Sequence, residues 1–136
     1  MSQDPFSVDQ RLFIALEKKS QPFTPPGISR ILFNQGEEPK GLYTLKSGEV
    51  ALTMYSSTGN LVMCHRASAG AVLGLPAVIA SKPYSLNAIV SDSSEVGFVT
   101  RCDFEQILQS DPSLYLSVLG ILAAEVRAAR KSLADC

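Results

Sequence analysis

Side chains able to do covalent or metal chemistry are few in this chain. There is one histidine, His65, and three cysteines stand at 64, 102 and 136. A facial iron triad needs two histidines and a carboxylate, so that supply is missing. Cys64 and His65 are neighbours, and in a strand adjacent side chains point to opposite faces, so the two cannot address one small ion together. One histidine also leaves no secure Ser-His-Asp or Cys-His relay, and neither a Walker loop nor a dinucleotide fingerprint occurs. The expected chemistry is therefore binding rather than catalysis, with no metal and no cofactor.

The best binding candidate is Gly70-Ala71-Val72-Leu73-Gly74-Leu75-Pro76-Ala77-Val78-Ile79, followed by Pro83-Tyr84-Ser85-Leu86-Asn87-Ala88-Ile89-Val90. It reads as a turn glycine, a short helix and a strand. Backbone N–H groups at such a helix start favour an anion, although Pro76 removes one donor and Lys82 offers only loop charge. The candidate pocket residues are Gly74, Leu75, Pro76, Ala77, Ser85, Leu86 and Asn87. Its walls are expected to be mostly apolar, from Leu73, Leu75, Val78, Leu86 and Ala88, with Ser85 and Asn87 as polar handles.

The scaffold that must hold this stretch is bounded by composition: 136 residues that are 46% hydrophobic and 18% charged make one domain with a sizeable core. The net charge of -1 lacks the basic surplus of a nucleic-acid binder, so this segment is not expected to grip DNA by itself. Three widely spaced cysteines form neither a disulfide framework nor a zinc site, which fits reduced thiols. Residues 1–5 lack a signal-peptide pattern, and the longest apolar stretch, Leu114 to Ala124, is too short for a bilayer. A cytoplasmic protein without a membrane segment is the expectation.

Val8, Leu12, Phe13 and Leu16 recur at helical spacing, which predicts an N-terminal helix over 7–19. Pro22, Pro25, Pro26 and Gly27 then end any helix. Over 28–101, apolar runs alternate with turn clusters: Ile31 to Phe33, Gly41 to Leu45, Glu49 to Tyr55, Leu61 to His65, Asn87 to Val90 and Glu95 to Val99 read as strands. This spacing suits a closed roll or barrel. A short helix over 103–109 is expected with Asp103 as its N-cap, and Asp111-Pro112 opens a last helix over 112–134.

In that last helix Tyr115, Leu119, Leu122, Val126, Ala129 and Leu133 fall four, three, four, three and four residues apart, an a/d seam. A second stripe, Leu114, Val118 and Ile121, is placed to cover the roll. The narrow seam in the charged second half favours pairing with a second copy. The alternative is a helix packed wholly on its own domain.

With Ile31-Leu32-Phe33-Asn34-Gln35-Gly36-Glu37-Glu38-Pro39 and Gly41-Leu42-Tyr43-Thr44-Leu45-Lys46-Ser47-Gly48-Glu49-Val50, the glycine-bearing cassette resembles the cyclic-nucleotide-binding β-roll of the Crp-Fnr regulators. The resemblance spans about Phe6 to Leu133. It implies a mainly β fold with flanking helices: a double-stranded, jelly-roll-like β-helix carrying an N-terminal helix and a long C-terminal dimerisation helix. It also implies an effector-sensing module in which an unidentified small molecule shifts the roll on the helix pair. DNA would be reached only through a domain lying outside these residues.

The family cassette has a glutamate for the ribose hydroxyl and an arginine for the cyclic phosphate. Here the glutamate's position holds Leu75 and the arginine's aligns with Ser85. Losing both charge-assisted contacts removes about 3–6 kcal/mol, or about a hundred-fold to ten-thousand-fold in affinity. Cyclic AMP sensing of the usual kind is therefore not expected. Some regulators of this kind hold haem through a roll cysteine or histidine, a role open to Cys64 or His65, whereas the iron-sulfur version lacks its cysteine cluster. The alternatives to an effector sensor are a ligand-free dimerisation or interaction module and, on the histidine count least of all, a cupin-like enzyme.

Overall fold

The computed structural model describes residues 10–25 and 27–135, with the backbone alone at 129 and 132–135; positions 7–9 of the expected first helix lie outside the described residues. The described residues form two antiparallel sheets and a helical layer. In chain order the elements are α1 (Gln10–Lys19), β1 (Gln21–Phe23), β2 (Ile31–Phe33), β3 (Gly41–Ser47), β4 (Glu49–Tyr55), β5 (Leu61–Ser68), β6 (Val72–Leu73), α2 (Leu75–Ala80), β7 (Asn87–Val90), β8 (Glu95–Thr100), α3 (Arg101–Ser110) and α4 (Leu114–Asp135). One sheet runs β1-β8-β3-β6 and the other β2-β7-β4-β5. The fold is mainly β, two sheets with flanking helices and a long C-terminal helix.

The chain changes sheets between β3 and β4 at Gly48, whose φ of 92° only glycine adopts without strain. A Cβ there would also collide with Ser94, so this corner closes tightly. β3 is covered on both faces of its sheet, which explains why Gly-Leu-Tyr-Thr-Leu reads as a continuous run rather than an alternation. Leu42 points to the helices while Tyr43 and Leu45 point into the roll.

Two cores result. Inside the roll lie Leu32, Phe33, Tyr43, Leu45, Val50, Leu52, Leu73, Tyr84 and Ala88 among others. Between the first sheet and the helices lie Leu12, Leu16, Leu42, Val72, Leu75, Val78, Val99, Phe104, Ile107, Leu114, Val118 and Ile121. The stripe Leu114, Val118 and Ile121 thus seats the first half of α4 on its own domain.

Several local features depart from the sequence reading. β5 continues past His65 to Ser68, because Ala67 is buried opposite Val50 and the alternation persists through a stretch that composition marks as a turn. β1 forms in a proline-containing segment because it is a sheet edge, pairing with β8 on one side only. The N-cap of α3 is not Asp103 but Thr100, whose Oγ1 accepts the Asp103 backbone N–H at 3.1 Å. Asp103 sits in the first turn, where its charge complements the helix dipole. At the next corner Asp111 accepts from the Ser113 backbone N–H at 3.2 Å and its hydroxyl at 2.6 Å, and Arg11 donates to it at 3.1 Å. Those Ser113 contacts and the Arg11 charge hold its carboxyl below the usual range.

Candidate functional site

The cassette is assembled where β6, α2 and the approach to β7 meet. Gly74 follows β6 with φ 93° and serves as the N-cap residue of α2, where no side chain caps the free N–H groups. A Cβ at Gly74 would stand 3.0 Å from the Tyr84 ring. Glycine is therefore required twice here, for the backbone angle and for the ring.

A short helix offers two faces, and α2 uses both. Leu75 and Val78, three residues apart, are buried in the helical core. They do not face the roll, contrary to the wall expected from sequence. Gly74, Pro76 and Ala77 face it instead, and with Phe33, Leu52, Leu73, Tyr84, Ser85, Leu86 and Glu125 they line a cavity of about 20 Å³. That space suits one water molecule and no nucleotide.

Tyr84 accounts for the small volume. Its ring stacks on Phe33 at 4.0 Å with an interplanar angle of 18°, and its hydroxyl donates to the Gly41 carbonyl at 2.8 Å. Its backbone is held as well, the N–H donating to the Glu37 carbonyl and the carbonyl accepting from the Gly36 N–H. Phe33 in turn neighbours Tyr43, and Tyr43 neighbours Phe23 and Phe98, so an aromatic cluster fills the roll. Burial raises the Tyr84 phenol above its ordinary value.

Of the two expected polar handles, Ser85 lines the cavity and Asn87 does not. The Asn87 side-chain carbonyl accepts the Gln35 backbone N–H at 2.8 Å and its amide donates to Thr53 Oγ1 at 3.4 Å. That amide is committed to pinning the loop after β2. Gln35 extends the same clasp by exchanging two hydrogen bonds with the Tyr55 backbone. Ala88 is core, and Cys64 and His65 lie on β5 and do not line the cavity.

The residue that sequence reasoning missed is Glu125. It continues the buried stripe of α4, four positions after Ile121, and its side chain reaches the cavity. Its Oε2 is buried without a hydrogen-bond partner, and burial pushes its carboxyl up to about 8. An acid in an otherwise apolar helical stripe was the available signal.

On the outer side of α4, Tyr115, Leu119 and Val126 are 47%, 59% and 50% exposed, while Leu122 is partly buried against the helical core. Beside them runs an apolar groove of about 380 Å³ whose walls include Ile79, Phe104, Leu108, Leu119 and Leu122. Ala129 and Leu133, the remaining seam positions, lie where side chains are outside the description.

A sequence model of the cyclic nucleotide-binding domain matches residues 29–111, more than half of the chain. The chain belongs to the cyclic nucleotide-binding domain family. Among solved structures, the catabolite activator protein of Thermus thermophilus is similar at 21% identity and a TM-score of 0.76, over 96% of this chain and 62% of that one. The sensor domain of the transcriptional regulator DNR from Pseudomonas aeruginosa is similar at 19% identity and 0.68, over 86% of this chain and 83% of that one. The c-di-GMP responsive global regulator CLP of Xanthomonas campestris is similar at 14% identity and 0.70, over 93% and 62%. At these identities the likeness is one of fold, and the chain spans less than two thirds of the Thermus thermophilus protein. A search of the curated proteins found no matching sequence. The family frame is thus present with Leu75 turned away from the cavity and an aromatic ring inside it. Among the described residues no helix is long and apolar enough to cross a membrane.

Proposed function

We propose that this chain is the effector-sensing and dimerisation module of a Crp-Fnr-type transcription regulator, non-catalytic, and that its effector is not a cyclic nucleotide held in the usual way. One observation carries the reading: the cassette and α4 share a cavity, Glu125 of the helix facing Gly74, Pro76, Ala77 and Ser85 of the cassette. An effector entering there must displace the Tyr84 ring, and displacing it shifts α2 and α4 against the roll. A preference between those two arrangements is all that signalling requires. The exposed seam, continuous with the apolar groove beside α3, supports a second copy as the partner of α4. DNA contact belongs to a further domain of the regulator.

The walls also bear on the effector's charge. Among the described residues no Lys, Arg or His lines the cavity to pair with an anion. The similar fold of a c-di-GMP responsive regulator supports the view that this frame serves more than one effector chemistry.

A thermal-shift screen of uncharged, cationic and anionic small molecules tests the sensor reading. A specific effector at a hundred times its dissociation constant adds about 2.7 kcal/mol of stability. The expected hits are uncharged or cationic, and Tyr84→Ala changes their shift. Absence of any hit, with self-association retained, favours the rival reading of a ligand-free interaction module.

A further inference from the structure

We propose that Glu125 is a proton-operated latch between the roll and α4: the uncharged carboxyl lets the second half of the helix seat against the cavity, and the ionised carboxyl drives it off. This regulates the same site as the proposed function and rests on reading that cavity as the contact between cassette and helix.

The geometry comes first. Leu114, Val118 and Ile121 anchor the first half of α4 in the helical core. One turn further the same stripe delivers Glu125 to a cavity walled by Phe33, Leu52, Leu73, Pro76, Ala77 and Leu86. Beyond it, among the described side chains, Val126 is half exposed and Arg127, Arg130 and Lys131 are exposed. Glu125 therefore stands one turn past Ile121, the last fully buried residue of the stripe among the described side chains.

A carboxylate with one oxygen buried and unpartnered, as Glu125 Oε2 is, carries a desolvation cost that protonation or withdrawal to solvent relieves. No cation among the described residues stands in the cavity to neutralise it. Among the residues lining the cavity, the other titratable group is Tyr84, whose hydroxyl is committed to Gly41. Of the elements packed on α4, α2 carries no titratable residue. β5 carries Cys64, His65 and Arg66, with Arg66 on Glu49. α1 carries Arg11, Glu17, Lys18 and Lys19, with Arg11 on Asp111 and Glu17 on Lys46. α3 carries Arg101, Cys102, Asp103 and Glu105, with Arg101 on Ser81. None of these lines the cavity.

The sign follows from which state binds the proton more tightly. Burial raises the carboxyl from 4.5 to about 8, so the seated state holds its proton where the released state has lost it. Seating is strongest below about 4.5, weakens by up to tenfold in the seated-to-released ratio per pH unit up to about 8, and changes no further above that.

The test uses the chain without effector: ¹³C NMR titration of the Glu125 carboxyl, and amide hydrogen exchange of residues 122–131 from pH 6 to 9, corrected for intrinsic rates. The expected result is titration near 8, protection of that segment falling from pH 6 up to about 8 and level above it, and Glu125→Gln protected at every pH. Titration near 4.5, protection indifferent to pH, or an unchanged slope in Glu125→Gln overturns the latch. Should Glu125→Gln fail to fold, the titration of the parent decides alone. Because no effector enters these measurements, a failed effector screen and a failed latch are separate outcomes.

Discussion

Tyr84→Ala lowers the unfolding free energy by about 3–5 kcal/mol, whereas Tyr84→Phe costs about 1 kcal/mol. The alanine variant removes a ring that stacks on Phe33 and contacts the cassette glycine, leaving a void at the centre of the roll. The phenylalanine variant keeps the ring and loses only the hydrogen bond to the Gly41 carbonyl. For a domain of this size the alanine variant melts about 10–20 °C below the parent, read by circular dichroism. A variant within about 1 kcal/mol of the parent would mean that the ring does not plug the roll.

Leu119→Glu is expected to abolish the self-association proposed for α4 while leaving the fold intact. Leu119 is more than half exposed and beside the apolar groove, so a carboxylate there is solvated in the single chain. In a symmetric helix pair two such carboxylates are desolvated together, at several kcal/mol each, which weakens pairing by about a thousandfold or more. Equilibrium sedimentation is expected to show dimer for the parent and monomer for the variant, with matching circular dichroism spectra and a melting temperature that falls by no more than the lost association accounts for. The same species in both would remove α4 as the pairing element. Leu122 is the poorer probe, because it also packs against the chain's own helical core.

The roll is legible in the sequence because its punctuation is local. Gly36, Gly48, Gly59 and Gly70 all carry positive φ, and such turn residues announce themselves without tertiary knowledge. The two stripes of α4 are legible for a similar reason, since helical spacing alone separates Leu114, Val118 and Ile121 from Tyr115 and Leu119. Features that depend on long-range contact are not legible. The edge strand β1 forms only because β8 is available to pair with it. Thr100 wins the cap of α3 over Asp103 because β8 runs directly into the helix and sets its first turn one residue after the threonine.

The site is half legible for a related reason. Spacing places Gly74, Pro76, Ala77, Ser85 and Leu86 at one cavity, but it does not say which face of a two-turn helix looks inward, and Leu75 and Val78 look outward. Asn87 reads as a free polar handle until the loop after β2 is folded onto it. Tyr84 stands in the cassette as one residue among several, and only its stacking on Phe33, far away in sequence, makes it the filler of the pocket. Glu125 breaks an apolar periodicity that the rest of its stripe obeys.

Isothermal titration with cyclic AMP and cyclic GMP decides whether the filled cavity still admits a cyclic phosphate. A loss of about 3–6 kcal/mol carries even a micromolar site to about 0.1 mM or weaker, so neither nucleotide is expected to give a saturable isotherm below that concentration. A submicromolar dissociation constant for either one would show that the cavity opens past Tyr84 to hold the nucleotide, and the reading of Leu75, Ser85 and the aromatic plug would be wrong.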